Sequence, residues 1–500
     1  WRKQGRRQMK YRITFVKEGI TYEAEEGMTV LEAEIAAGLK PDAPCGGRGK
    51  CKKCRVHIDG KKVLACQTVI HGGLEVETLH EEAKSQILTA GYGRKVSFYP
   101  GELPADIKDP LLAAVDLGST SVVAYLLDGR TGEQLSVKSV LNPQRQYGAD
   151  VVMRSSYAME KGADILSSCI RRAVNELLRE AAKSCGRSQE EIVKIVMVGN
   201  SCMHHLFLEI PVDTLVLAPY EPRVKEALTL KASDYGFLVH PEAQLLWLPN
   251  IGGFVGADTV GCLLATDMDQ RERMTLMVDI GTNGEMVLGN RETGLTACST
   301  AAGPAFEGAK ITCGMRGSAG AIDHVYLKDG KLEFHVIGDG EPQGICGSGL
   351  LDAVACLRRT GAVDESGRMK ESCYFTRNVF IEQKDIRELQ LAKAAIAAGI
   401  RLLCKRKGIG TEDIEELLIA GAFGNYLDPA SACAIGMLPK ELESRIISVG
   451  NAAGEGARIA ALNTDEFERS KELAAKTEFL ELAMDPEFQD VYVDELEFPE

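Results

Sequence analysis

The sequence predicts an α/β protein of several domains, and three observations carry that expectation. Apolar runs ending in glycine-rich turns recur from residue 111 onward, as in LLAAVDLGSTS, VKIVMVGNS, LMVDIGTNGE and ELLIAGAFGN. Helical stretches such as ADILSSCIRRAVNELLREAAKS and AKAAIAAGIRLLCKRKG lie between them, and strands alternating with helices build α/β layers. A separate, cysteine-bearing unit precedes this body. The 500 residues exceed one small core, so two to four domains are expected.

The expected boundaries are a compact unit at 9–82, a linker at 83–110, a body at 111–465 and a tail at 466–500. In the first unit YRITFV and ITYEAE read as two alternating strands around a turn at 17–19. MTVLEAEIAAG reads as a short helix stopped at Gly38, and RVHIDG and LEVETL as further strands. Pro100, Gly101, Pro104 and Pro110 mark the linker. The tail LELAMDPEFQDVYVDELEFP carries enough apolar residues to be a docked segment. Met9 reads as the natural start, with residues 1–8 upstream of the fold.

Lys+Arg at 58 against Asp+Glu at 72 gives a net charge of −14. That balance argues against a general nucleic-acid or anionic-membrane surface. An apolar run of about 18 residues, the length of a membrane span, is lacking. The basic N-terminus is followed by no apolar stretch, so it is not a secretory signal. Fifteen cysteines, an odd number, fit a reducing, cytoplasmic setting better than a disulfide scaffold.

Four of those cysteines, Cys45, Cys51, Cys54 and Cys66, are spaced C-x5-C-x2-C-x11-C. Iron–sulfur clusters need thiolates arriving from several directions on a compact sulfide-bridged core. Gly46, Gly47 and Gly49 let the loop curl and turn N–H groups toward the sulfides. Zinc takes paired short knuckles, and here only Cys51 and Cys54 make one. The four cysteines are therefore assigned to a [2Fe–2S] cluster, in a loop one residue longer than the plant-type C-x4-C-x2-C. A β-grasp start with the loop after its first helix suits a ferredoxin-like domain. Arg48, Lys50, Lys52, Lys53 and Arg55 crowd the loop; they either offset the anionic cluster or present a docking patch to an acidic redox partner.

In the body, Asp116-Leu-Gly-Ser-Thr-Ser121 and Asp279-Ile-Gly-Thr-Asn-Gly-Glu285 each follow an apolar strand. Glycines let backbone N–H groups approach phosphate oxygens. Ser119, Thr120, Thr282 and Asn283 add donors, and Asp116 and Asp279 suit Mg²⁺ or its waters. One such loop is a weak signal, whereas two in duplicate are a strong one.

The order of these pieces resembles the actin/Hsp70/sugar-kinase superfamily, with its two-lobed, ribonuclease H-like ATPase body. The resemblance implies a first phosphate loop at 116–121 with Gly118, a second at 279–285 with Gly281 and Gly284, and connections at 248–265 and 449–462. It implies an adenosine motif at 417–425, bringing Gly421, Gly424 and Asn425. Segments placed like 299–320 and 344–355 approach the nucleotide in that superfamily, so Gly303 and Glu307 are expected near ribose or base and Gly347, Ser348 and Gly349 near phosphate. The first connection often presents an acid near its strand end. Asn250 stands near that place here and Asp258 lies further on, as the acid expected in catalysis beside Asp116 and Asp279.

A ferredoxin unit fused to this body is similar to the reductive activators of corrinoid-dependent methyltransferases, from Met9 to the tail. That likeness implies one-electron reduction of cob(II)alamin to cob(I)alamin on a partner corrinoid protein, coupled to hydrolysis of ATP with Mg²⁺. It implies an upstream donor such as a ferredoxin or flavoprotein, and it admits a homodimer; neither nucleic acid nor membrane is expected as a partner. An uphill gap of about 100 mV costs roughly 2.3 kcal/mol for one electron, which a nucleotide-driven closure of two lobes can cover. Two other readings are a 2-hydroxyacyl-CoA dehydratase activator, using Cys313 and Cys346, and a small-molecule kinase with an attached redox domain. His204 and His205 are adjacent and point different ways, so packing explains them better than joint ligation.

Overall fold

The computed structural model describes residues 9–39, 41, 43, 46–49, 52–79, 89, 91–424 and 426–500. One compact unit comprises the N-terminal domain, to residue 83, together with Pro143–Cys169. The other comprises Lys84–Asn142 and Ile170–Glu500.

In the first unit the antiparallel pair Lys10–Phe15 and Ile20–Glu25 lies beside Leu74–Thr78, which runs parallel to Lys10–Phe15. Arg55–Ile58 and Lys61–Leu64 complete a five-stranded sheet. Alternation buries Ile13, Phe15, Val56 and Val76 on one face. The helix Val30–Ala36 covers that face; Thr29 and Glu32 close its first turn as a capping box. This is the expected β-grasp ferredoxin-like arrangement. The short strand Lys61–Leu64 was too polar to announce itself by alternation.

The second unit repeats one motif. Leu111–Leu117, Ser121–Asp128 and Gln134–Leu141 form an antiparallel meander, and Ile192–Val198 joins its first strand in parallel. Thr275–Ile280, Gly284–Asn290 and Gly294–Thr300 do the same, joined by Glu416–Ala420. Each meander sits within a six-stranded sheet. Burial on both faces explains why strands such as Ile192–Val198 read as continuous apolar runs.

Two helices cross between the repeated sheets, Ala257–Thr266 and Ala452–Leu462. Only glycine permits their approach, because a Cβ on Gly456 would lie 2.0 Å from the Gly261 carbonyl oxygen. The tail is docked: Phe498 is 3% exposed, Arg358 donates to the Pro499 carbonyl at 2.6 Å, and Lys393 donates to that of Glu497. Among the described residues no helix is long and apolar enough to cross a membrane.

Candidate functional site

The two meanders make equivalent first turns. Asp116 stands near the end of Leu111–Leu117, and Gly118 turns so tightly that a Cβ there would lie 2.7 Å from the Ser121 carbonyl oxygen. Asn200 Nδ2 donates to Ser119 Oγ at 2.8 Å, and the Thr120 carbonyl accepts from Asn142 N–H. Asp279 holds the matching place in Thr275–Ile280. There Gly281 N–H donates to the Asn283 carbonyl at 2.9 Å, closing the turn before Gly284.

The remaining predicted residues gather unevenly around these turns. Gly421, at φ +86°, sits against the second loop, where a Cβ would lie 2.4 Å from Asp279 Oδ1. Thr282 Oγ1 donates to Glu307 Oε1 at 2.5 Å, and Gly303 N–H donates to the Thr282 carbonyl at 2.9 Å. Both residues thus frame the second loop. Gly424 packs back on the preceding strand at Ile419, and Asn425 lies outside the described residues. Gly347 is pressed against the Phe306 carbonyl, beneath the stacked rings of Phe306 and Phe423. Ser348 is buried and its hydroxyl donates to the Asp323 carbonyl at 2.8 Å.

Asp116, Asp258, Asp279 and Glu285 form an acidic centre. Asp258 lies in the first turn of Ala257–Thr266. Burial pushes Asp116 up to about 7; the Asn451 hydrogen bond opposes that and the Asp279 charge adds to it. Burial alone takes Asp279 to about 6. Asp258 and Glu285 are also driven up by burial and by neighbouring carboxylates. Asn451 Nδ2 donates to Asp116 Oδ2 at 2.9 Å, while its Oδ1 caps Ala452–Leu462 by accepting from Gly454 N–H.

Oxygen donors and unrelieved negative charge are the chemistry of a Mg²⁺–polyphosphate site. Among the described residues no three His, Cys, Asp or Glu side chains converge closely enough to ligate a metal directly.

Asn250 is occupied elsewhere. Its amide donates to the Val224 carbonyl at 2.9 Å and meets His204 Nδ1 at 3.0 Å, and its Oδ1 accepts from Ala257 N–H. His204 and His205 are buried, and burial pushes them down to about 3 and about 4. They are neutral packing residues. Cys313 Sγ points to the Asn378 carbonyl and Cys346 Sγ to that of Ile322, with burial raising both thiols.

In the N-terminal unit, Cys45 and Cys51 lie outside the described residues, as does Lys50. Cys54 and Cys66 are buried at 1% and 6% exposure. The hairpin places them side by side, since Arg55 pairs with Leu64 and Ala65 N–H donates to the Cys54 carbonyl at 2.7 Å. Gly46, Gly47 and Gly49 take φ of +59°, +80° and +72°, the left-handed curl that wraps a loop around a cluster. Gln67 Nε2 ties the loop back to the Gly47 carbonyl at 3.4 Å. A Cβ on Gly46 would lie 2.9 Å from the Tyr147 carbonyl oxygen, so residues 143–169 pack on this loop. Arg48, Lys52 and Arg55 are exposed beside it.

Glu285 and Asn451 were quoted within motifs but received no role in the sequence reading. The signal for Asn451 was an asparagine immediately before a helix, the N-cap pattern. For Glu285 it was an acid one residue into the strand after the loop.

A ferredoxin-like domain with a glycine-curled cysteine loop, joined to a body that repeats one meander and its glycine-rich turn, is the architecture of an ATP-dependent iron–sulfur reductase. Family models match the whole architecture: a 2Fe-2S iron-sulfur cluster binding domain at residues 10–81, the RACo middle region at 111–271, and the C-terminal ASKHA domain of RACo at 273–500. The chain belongs to the RACo-type reductive activators of corrinoid proteins. It is an enzyme that carries a [2Fe–2S] cluster and binds ATP. The corrinoid activation enzyme RamQ of Eubacterium limosum is 34% identical over 97% of this chain and 98% of its own. The [Co(II) methylated amine-specific corrinoid protein] reductase of Methanosarcina barkeri is 27% identical over 77% of this chain and 76% of its own. A solved reductive activator for corrinoid, iron-sulfur protein superposes with a TM-score of 0.71 at 29% identity, covering 98% of each chain.

Proposed function

We propose that this chain reduces cob(II)alamin on a partner corrinoid protein to cob(I)alamin, one electron at a time, while it hydrolyses ATP to ADP and phosphate. When bound, the [2Fe–2S] cluster supplies a low-potential electron and ATP supplies the free energy. Cys45, Cys51, Cys54 and Cys66 hold the cluster, and the basic side chains around them face an acidic redox partner. Backbone N–H groups of 118–120 and 282–283 receive the phosphates, with Ser119, Thr120 and Asn283 as side-chain donors, while Gly281 and Thr282 hold the second loop in shape. Gly303, Glu307, Gly347, Ser348, Gly421, Gly424 and Asn425 shape the rest of the nucleotide pocket. Asp116 and Asp279 orient Mg²⁺ through its waters. Asp258, at a helix N-terminus, orients the attacking water, and Glu285 keeps the centre acidic.

The domains follow the boundaries 9–82, 83–110, 111–465 and 466–500. The electron reaches the cluster from a ferredoxin or flavoprotein, in the cytoplasm. The observation that carries the reading is the acidic centre set on two equivalent turns beside Gly421. Its test is anaerobic mixing of reduced protein, Mg²⁺, ATP and a cob(II)alamin protein. Asp279→Asn should lose the ATP-dependent shift of the cobalt spectrum and keep the cluster absorbance. An unchanged shift in that variant removes Asp279 from the mechanism.

A further inference from the structure

Within the stretch expected to be a linker, Thr89 and residues 91–101 are held by a series of hydrogen bonds. Thr89 and residues 91–101 run along the helix Ala452–Leu462 and are tied to it and its neighbours at several points. At the start, Tyr125 Oη donates to the Thr89 carbonyl at 2.9 Å. Gly91 then lies flat on the helix, where a Cβ would come 2.6 Å from Glu455 Cβ. Arg94 pairs with Asp267 and Glu466, each at 2.6 Å, and donates to the Leu264 carbonyl at 3.1 Å. Asn463 Nδ2 donates to the Ser97 carbonyl at 3.0 Å and to its Oγ at 2.9 Å. Tyr99 exchanges backbone bonds with Leu462 and Thr464, and the buried Lys194 donates to the Pro100 carbonyl.

The helix under this strap is anchored by an asparagine at each end. Asn451 caps its N-terminus and holds Asp116 at 2.9 Å. Asn463 is its C-cap and holds Ser97. With 11 residues the helix is a stiff rod about 16 Å long, and its crossing with Gly261 at Gly456 provides a pivot between the two ends. A side chain that shifts at Asp116 therefore moves the rod, and the rod moves the strap.

We propose that Asn451 and Asn463 are positioning residues for ATP-coupled electron transfer, joining the nucleotide site to residues 91–101 on the body side of the ferredoxin domain in sequence. The proposal rests on the reading of Asp116 as a nucleotide-site residue. Neither asparagine touches the reacting atoms. Each sets the position of what it holds, at Asp116 and at Ser97. Packed helices respond to such displacements in steps rather than smoothly, because close-packed interfaces have few alternative seatings.

Hydrogen exchange on the full-length, cluster-loaded protein tests this directly. Amides of 94–101 should change exchange rate by about tenfold between the nucleotide-free state and the state with Mg²⁺ and a non-hydrolysable ATP analogue. Two variants then separate coupling from fold. Gly91→Ala lifts the strap off Glu455 from the strap side. Asn463→Asp keeps the Oδ1 that accepts from Asp465 N–H and removes the donor to Ser97. Both should abolish the nucleotide-dependent exchange and lower ATP-dependent cobalt reduction by about tenfold, with ATP hydrolysis held within about twofold. Strap exchange that ignores nucleotide in the parent protein overturns the proposal, and so does a parallel loss of hydrolysis and reduction in both variants. A parent whose strap responds to nucleotide but which reduces no corrinoid leaves the strap standing and removes the proposed function.

Discussion

The side-chain amide of Asn451 donates to the Asp116 carboxylate at 2.9 Å across 335 positions of sequence. One residue thereby caps a helix and tunes the acid beside the first glycine-rich turn. That hydrogen bond lowers the Asp116 pKa against the larger effect of burial. Asn451→Ala should therefore raise it, so that more Asp116 is protonated at neutral pH. The acid limb of the pH profile for ATP hydrolysis should move to higher pH, and lost capping should cost about 1 kcal/mol of stability. A profile superimposable on that of the parent would refute the coupling.

The same centre predicts a pH-dependent stability. Asp116 rises from 3.8 to about 7 and Asp279 from 3.8 to about 6 on folding. Groups with raised folded pKa values contribute stability that is full below the unfolded pKa and lost as pH rises through the folded one. Between about pH 4 and pH 7 the nucleotide-free protein should lose stability on the order of a few kcal/mol from these two acids. Mg²⁺ with nucleotide should restore more stability at pH 8 than at pH 5. Thermal unfolding at both pH values, with and without Mg²⁺–ATP analogue, checks this; equal stabilisation at the two would count against an ionised centre.

Gly421 has no room for a side chain. Its φ is +86° and a Cβ would meet Asp279 Oδ1 at 2.4 Å. Gly421→Ala should raise the KM for ATP by about tenfold or more, as a displaced positioning group does, while the far-ultraviolet dichroism and the cluster spectrum stay as in the parent. An alanine variant with ordinary ATP kinetics would show that the motif stands clear of the nucleotide.

The tail is a structural clamp on the second lobe. Phe498 is buried beneath Arg358 and Lys393, whose charges lie 5.8 and 5.6 Å from its ring centroid. Phe498→Ala should cost about 3 kcal/mol or more, the range for a buried aromatic truncated to alanine. Urea unfolding followed by fluorescence measures it. A midpoint unmoved by the change would mean that the last residues add nothing to the lobe.

Much of the site was legible because its signals are local. A glycine-rich turn after an apolar strand declares itself within ten residues, and the duplicate at Asp279 declares the repeat. The cysteine spacing does the same for the cluster loop, and the helix at Val30–Ala36 is announced by Thr29 and Glu32. Ser348 shows the limit. Its place at a helix start is legible locally, but the partner of its hydroxyl, the Asp323 carbonyl, lies 25 positions away. Asn250 likewise occupies the expected place of an acid and instead braces His204, Val224 and Ala257.

By itself the sequence determined the order of the pieces: the cysteine loop, then two glycine-rich turns in duplicate on α/β repeats. Turn geometry and hydrophobic period are properties of neighbouring residues, so they can be read along the chain. Only the tertiary structure decided which groups meet. It gathered Asp116, Asp258, Asp279 and Glu285 in one buried place, seated Asn451 on Asp116, and laid residues 91–101 along Ala452–Leu462. It also packed residues 143–169 against the cluster loop. Those relationships depend on the crossing of helices at Gly261 and Gly456 and on burial, and neither follows from local pattern.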